Sequence, residues 1–576
     1  MSRLRQELAC RPPGRDVTGV PRIRIPIAWK VVIMKRIGRA AVAASLIGIP
    51  LVAGGALWQS RETRDGAMLF DQVLRQVATR FVDTVDASAL YEKAARGLVA
   101  QLNDPYTTLY TPKEFAAFTQ NTNGRYAGVG MQIEDIRGQV TVARVFPNTP
   151  AAAAGVAEGD RILFVDTAST RGWKLDQVSN ALRGEPGSRV KVRFGRPGVP
   201  EPIEASFTRA VIHIPAVPYA LMLDGNIGYI PVQGFNETAS EEVIQRIRDL
   251  QQKGMKSLVL DLRDNPGGIL DEAFVMSNLF LPRGKEILSY RGRADMNQTF
   301  VAQEAPLLPD LPLVVLVDAG SASASEIVAG ALQDHDRAVL VGTTSFGKGL
   351  VQSLFRLDGG YALKMTTAKW FTPSGRSIQR PRKIVDGRFV DEEAPADSME
   401  SDSVRKARPT FRSTSGRTVY GGGGITPDVI VRPDTISTVE QKFARSFATK
   451  AQDALSLLAQ YAEELKPQVR SLDFQVRPEW RAEYLRRLRA GGVPVDSALY
   501  EQATPWINRL MADRVAKTAF GDSAVARRRM ADDTQLQRAA QILRKAGSQR
   551  DAFVAAGITI PATAPASAAQ RSARRP

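Results

Sequence analysis

The sequence predicts a multidomain α/β protein, and three observations carry that reading. Four short apolar runs, IGYIPVQ (227–233), SLVLDL (257–262), LPLVVLVD (311–318) and RAVLVG (337–342), alternate with helical patterns, as in a sheet covered by helices. Ahead of them a Gly-punctuated stretch from Tyr126 to Arg209 alternates apolar and polar residues at period two, which marks a separate β domain. Helical periodicity dominates both flanks, in residues 64–123 and beyond Thr438. A chain of 576 residues with 44% apolar content is also longer than one core usually fills.

In chain order, residues 1–39 form a basic leader, followed by a 19-residue uncharged run, Ala40 to Trp58. Lys30, Lys35, Arg36 and Arg39 precede that run, so the leader stays cytoplasmic and the bulk of the chain is expected across the membrane. A signal anchor and a signal peptide cleaved near Gly54-Gly55-Ala56 are both open, as are Met1 and Met34 as starts. In residues 64–123, Leu69, Val73, Val77 and Phe81, then Leu90, Ala94, Ala95 and Leu98, fall at helical spacing until Asn103-Asp104-Pro105 ends the pattern. The β domain occupies 124–210 and the α/β core 211–435. Within the core, Thr238-x-x-Glu241 reads as a capping box and Gly254 as a helix stop. Residues 381–416 are a polar insertion whose acidic centre, DEEAPADSMESD, suggests a solvated loop. Residues 438–560 form a helical extension, and the Ala/Pro/Ser/Arg-rich end, 561–576, is expected to be disordered.

The formal net charge of +17 suggests a nucleic-acid partner until its distribution is read. Residues 1–39 hold ten basic and two acidic residues, and residues 520–576 hold ten and four, so most of the excess lies at the ends. No basic binding face is implied between them. A single cysteine, Cys10, excludes a disulfide framework and a Cys-based zinc cluster. His213 and His335, far apart, give no HExxH spacing, so no metal cofactor is expected.

Chemistry concentrates after the third and fourth apolar runs. LPLVVLVD turns through Ala319-Gly320 into Ser321-Ala-Ser323-Ala-Ser325-Glu326, which opens a helix whose N-terminal dipole suits a developing oxyanion. Taken alone, such serines read as helix caps. RAVLVG leads to Gly342-Thr-Thr-Ser-Phe-Gly347-Lys348-Gly349, one residue short of a phosphate-binding loop. Gly349 stands where the Mg²⁺-binding hydroxyl would be, and a strand follows where a helix is needed, so nucleotide binding is rejected. A lysine between glycines and apolar strands loses solvation, which favours its neutral form, although in isolation it reads as a surface residue. A serine hydrolase short of histidine needs another base, and lysine is a known substitute. Ser323 and Lys348 are separated by one helix and one strand, so a βαβ unit returns both to the same sheet edge. Asp261-Leu-Arg263-Asp-Asn265-Pro-Gly267-Gly268 ends a neighbouring strand, and its glycines can turn a backbone N–H towards the same place.

The run DLRDNPGG, GSASASEIVAGALQD, FGKGLVQ, TTAKWFTPSGRSIQ and GGGGITPDV resembles the C-terminal processing (tail-specific) protease family over about residues 64–435, including LNDPYTTLYTPKEF. The resemblance implies a crotonase/ClpP-like α/β protease core with an inserted PDZ-like β domain, an N-terminal helical part and a C-terminal helical extension. It implies that Ser323 is the nucleophile and Lys348 its base, that Gln352 orients the lysine, and that the Gly268 and Ala324 N–H groups stabilise the oxyanion. Ser321, Ser325 and Glu326 are assigned to capping and packing, and His335 to a helix end. Gly128-Val129-Gly130-Met131 resembles the PDZ carboxylate loop, and Asn148–Gly155 followed by Glu158–Leu163 the second PDZ signature; Arg183 either senses the bound tail or contacts an acidic neighbour.

The expected function is therefore a serine endopeptidase that recognises protein C-termini outside the cytoplasm, at the inner membrane or free in the periplasm. Its partners are proteins and peptides with free C-termini and the membrane at its N-terminal segment. The C-terminal helices suit a homo-oligomer or an adaptor. An inactive PDZ scaffold or chaperone is the competing class, and intact Ser323 and Lys348 count against it. A crotonase-like acyl transferase lacks any CoA-binding feature.

Overall fold

The computed structural model describes residues 65–560, apart from 137, 197–198, 294–296, 386–387, 392–401 and 435–436. The basic leader, the apolar run 40–58, the C-terminal tail and residues 392–401 of the acidic insertion lie outside the described residues. The chain divides into two units, 1–95 and 96–576. In the first, residues 65–80 are helical, and Leu69, Val73, Val77 and Phe81 are exposed along that stretch. No helix among the described residues is long and apolar enough to cross a membrane.

The second unit is built on a six-stranded sheet in the order Leu221–Leu223, Ile227–Pro231, Ser257–Asp261, Leu313–Val317, Val339–Gly342 and Val429–Ile430. The first pair is antiparallel and the others are parallel. The strands Ser257–Asp261, Leu313–Val317 and Val339–Gly342 are buried throughout, which is why they read as unbroken apolar runs. Their side chains divide by parity. Leu258, Leu260, Val315, Val317 and Leu340 pack with helices Ala239–Gln252, Leu270–Asn278 and Ala324–Asp334 on one face. Val259, Val314, Leu316, Val339 and Val341 face Leu536, Ile542, Leu543 and Phe553 on the other. The helices after Thr438 thus pack in two places. Thr438–Ser446 to Thr504–Phe520 enclose their own core around Phe443, Leu458, Tyr500 and Met511, whereas Thr534–Arg544 and Gln549–Ala555 close the six-stranded sheet.

Helix Ala239–Gln252 corrects one local expectation. Thr238 is its N-cap residue, but its side chain makes no capping bond, and Glu241 does not complete a box. Thr238 Oγ1 donates instead to Glu242 (2.7 Å), whose carboxylate also accepts from the Val217 N–H (2.8 Å). Gly254, at φ +83°, does follow the helix end.

A second sheet is antiparallel. Strand Ala362–Phe371 pairs along one side with Leu350–Arg356, and along the other with Thr108–Tyr110 and Glu286–Gly292. The β domain contains a sheet in which Met131–Ile136 is an edge strand, with helix Leu175–Leu182 beside it. Its turn Glu158-Gly159-Asp160 meets the helical domain: Glu158 pairs with Arg514 (2.7 Å) and Lys517, and Arg161 with Asp453 (2.9 Å). Gly159 lies so close to Ser456 that a Cβ would stand 2.6 Å from its Oγ. Beyond the insertion, Arg417 is buried between Asp336 (2.5 Å) and Asp428 (2.7 Å), so the chain returns to the core by way of paired charges.

Candidate active site

Strand Leu313–Val317 delivers the chain to a tight turn, Asp318–Ser323, at the start of helix Ala324–Asp334. Asp318 Oδ1 gathers the N–H groups of Gly320 (3.0 Å) and Ser321 (3.1 Å) and, across the loops, of Asp264 (2.9 Å). Ser323 is the N-cap residue and sits at φ 54°, ψ −112°, a left-handed conformation that side chains other than glycine rarely adopt. Such strain persists only where surrounding contacts over-determine it. Here Ser321 Oγ donates to the Leu262 carbonyl (2.8 Å), Ser325 Oγ to the Asn265 carbonyl (2.9 Å), and the Ala322 N–H to the same Asn265 carbonyl (3.0 Å). The flanking serines anchor the turn, and Ser323 is the one left partly exposed.

The DLRDNPGG loop lies against this turn. Gly267, at φ +93°, packs so closely that a Cβ would stand 2.9 Å from both the Ser323 Cβ and the Ala324 nitrogen. Gly268 is held by strand-like bonds on either side, Phe235 N–H to the Gly267 carbonyl (3.0 Å) and Ile269 N–H to the Phe235 carbonyl (2.7 Å). Among the described residues, neither the Gly268 nor the Ala324 N–H donates a hydrogen bond within the protein. Farther along the loop, Arg263 joins Asp261 (2.6 Å) to Asp533 (2.7 Å) of the last sheet-covering segment. Burial opposes the Arg263 charge, but the two carboxylates outweigh it and hold its pKa above the ordinary value.

Glu326 connects the two motifs. It is fully buried, and its carboxylate is saturated: Oε2 accepts from the Ser323 N–H (2.8 Å) and the Lys348 N–H (2.9 Å), and Oε1 from the Gly347 N–H (2.6 Å) and Ser345 Oγ (2.5 Å). The backbones of Ser323 and Lys348 therefore meet on one oxygen atom. Burial pushes the Glu326 carboxyl above its ordinary range, and the four donors push back. The capping assignment for Glu326 is correct but incomplete, since the residue also carries the lysine loop. A carboxylate inside ASEIVAGALQ, an otherwise uncharged helical run, was the available signal, because a buried charge needs partners.

Lys348 is half-buried, its carbonyl accepts from Trp370 Nε1 (3.1 Å), and its Nζ lies 4.6 Å from the centroid of the Tyr106 ring. Gln352 lies farther on, in strand Leu350–Arg356, and its Nε2 donates to Thr366 Oγ1 (3.4 Å) of the paired strand. His335 caps the far end of helix Ala324–Asp334, its Nε2 against the Glu286 carbonyl (2.7 Å). In the β domain, Gly130 (φ +89°) is pressed onto Thr149, whose Oγ1 donates to the Phe146 carbonyl (2.7 Å), so Gly130 shapes the loop by close packing. Val129 is buried, Gly128 packs under the Tyr126 ring, and Met131 opens the edge strand. Arg183 stacks over Tyr126 (5.5 Å) and donates to Gln120 (3.2 Å), and among the described residues it pairs with no carboxylate.

A serine-rich turn at a helix start, a lysine loop after the adjoining strand and a separate PDZ-like β domain fit a serine-type protease of PDZ-containing class. Residues 226–386 match the family model Peptidase family S41, and residues 119–194 match the PDZ domain model. The chain is 33% identical over 343 residues to the carboxy-terminal processing protease CtpA of Bacillus subtilis (59% of this chain, 73% of that protein). It is 38% identical over 315 residues to the carboxy-terminal-processing protease of Bartonella bacilliformis (54% and 72%). A solved structure titled photosystem II D1 C-terminal processing protease aligns at 30% identity over 55% of this chain and 84% of that one, with a TM-score of 0.34. The chain belongs to the carboxy-terminal processing protease family, peptidase family S41.

Proposed function

We propose that the protein is an endopeptidase with a Ser323/Lys348 dyad that selects substrates by their free C-termini and works outside the cytoplasm. The observation that supports the dyad is the Glu326 carboxylate, which binds the backbone N–H groups of both residues through one oxygen. In this reading Ser323 Oγ attacks the scissile carbonyl while its proton passes to the Lys348 Nζ lone pair. The oxyanion is received by the Gly268 and Ala324 N–H groups. The C–N bond then breaks, Lys348 returns the proton to the leaving amine, and water, deprotonated by Lys348, hydrolyses the Ser323 ester. Gln352, on strand Leu350–Arg356 and bonded to Thr366 of the paired strand, is assigned to orienting Lys348.

Tail recognition is assigned to the groove between edge strand Met131–Ile136 and helix Leu175–Leu182. There a peptide can add a strand and present its carboxylate to the Gly128–Met131 loop. Periplasmic placement and attachment to the inner membrane rest on the basic flank and apolar run of residues 30–58, and the homo-oligomer or adaptor role is assigned to the C-terminal helices. The dyad is tested with Ser323→Ala, Lys348→Ala and Lys348→Arg on a casein substrate. All three are expected to be inactive, the last because guanidinium stays protonated and cannot take the serine proton. A Lys348→Arg enzyme with near-normal turnover would refute the assignment.

A further inference from the structure

Asn103-Asp104-Pro105 reads in the sequence as a helix stop, but in the fold this turn and the Tyr106-Thr107 that follow are pinned beside the lysine loop. Asp104 Oδ2 accepts from Thr107 Oγ1 (2.6 Å) and, from a strand far along the chain, Thr366 Oγ1 (2.6 Å). The Thr366 N–H donates to Thr107 Oγ1 (3.2 Å), and Thr108–Tyr110 continues as a strand against Ala362–Lys364. Thr366 Oγ1 is also the group to which Gln352 donates (3.4 Å). A turn locked at these points presents the Tyr106 ring to Lys348, with Nζ 4.6 Å from the ring centroid.

We propose that Tyr106 is a positioning residue for Lys348. The proposal rests on the reading of Lys348 as the base. The lysine backbone is held by Glu326 and Trp370, yet four flexible methylenes separate that backbone from the nitrogen that takes the proton. A ring face attracts an ammonium through its negative quadrupole, and it excludes water from the side it covers. The Tyr106 ring therefore gives Nζ a defined place, and it stabilises the ammonium that forms as Ser323 loses its proton. That benefit grows towards the transition state, so it belongs in kcat and not in KM.

The test uses the full chain, steady-state cleavage of a fluorogenic peptide with a free C-terminus, and thermal melting of each variant. Tyr106→Leu is expected to lower kcat at least ten-fold with KM within two-fold, and Tyr106→Phe, which keeps the ring, to recover most of that loss. Thr107→Val, which releases the turn from Asp104 and from the Thr366 N–H while leaving the ring and the Gln352 acceptor in place, is expected to lower kcat to a smaller extent. It supplies the reading if Tyr106→Leu does not fold. A Tyr106→Leu enzyme with kcat within two-fold of the parent, beside an inactive Lys348→Ala enzyme, would overturn the role of Tyr106 and leave the dyad standing. An active Lys348→Ala enzyme would remove both. A raised KM at unchanged kcat would make Tyr106 a substrate contact, and equal losses in the Leu and Phe variants would exclude the ring as the agent; either overturns the proposal.

Discussion

Replacing Glu326 with Gln removes one oxygen and puts an NH₂ group in its place, and no orientation of the amide suits the site. If nitrogen takes the Oε2 position, it faces the N–H groups of Ser323 and Lys348; if it takes the Oε1 position, it faces the N–H of Gly347 and the hydroxyl of Ser345. Ser345 Oγ could accept from the amide as well as from the Ile425 N–H (2.6 Å), but its own hydrogen, now given to Glu326, would then lose its acceptor. Two buried donors are thus left without an acceptor, each costing about 1–3 kcal/mol, so a loss of about 3–5 kcal/mol is expected, the range for breaking a buried charged contact. Because the same oxygens hold the backbones of Ser323 and Lys348, turnover should fall by about a hundredfold, as displacement of reacting groups by an ångström can do. Urea unfolding of the full-length variant and casein cleavage measure the two effects. A Glu326→Gln enzyme with parental unfolding midpoint and turnover within two-fold would refute the reasoning.

Because the Glu326 carboxyl is raised by burial, it takes up a proton above the ordinary carboxylate range as pH falls. Because the folded-state pKa is raised, proton uptake does not itself unfold the chain, but the protonated oxygen can no longer accept from all its donors in the Ser323 and Lys348 loops; activity should therefore be lost in mild acid while far-UV circular dichroism stays native, and unfolding that coincides with inactivation would contradict this. Asp533→Ala removes two bonds from Arg263 (2.7 and 3.0 Å) and the cap on Leu536 N–H (2.9 Å), and is expected to cost about 1–2 kcal/mol with faster amide exchange in residues 261–268; unchanged exchange there would show the last helices to be independent of the loop. Glu158→Ala leaves Arg514 and Lys517 without their shared carboxylate, so hydrogen exchange should rise in residues 155–161 and in helix Thr504–Phe520, more at low salt than in 1 M salt. A salt-independent result would mean that the seam is held by packing such as Gly159 against Ser456.

The sequence by itself determined the class of fold, the separate β domain and the residues of both motifs, because these are written in local periodicity and in short contiguous runs. Buried parallel strands must be apolar throughout, and the turn after such a strand must be small, so LPLVVLVDAGSASASE is legible without coordinates. Only the tertiary structure decided what covers each face of the central sheet. Parity along a strand separates two faces, but an apolar stripe on a helix does not say which face it will meet, and Leu536, Ile542 and Phe553 lie more than 190 residues beyond the strands they cover. The same limit hid the partners of Glu326, of Arg263 and of Asp104, since hydrogen-bond acceptors are chosen by distance in space and leave no period in the chain. Tyr106 follows directly on the Asn103-Asp104-Pro105 stop, and local pattern gave it no role of its own. Its place beside Lys348 comes from strand pairing between Thr108–Tyr110 and a strand more than 250 residues later, a contact that local sequence cannot express.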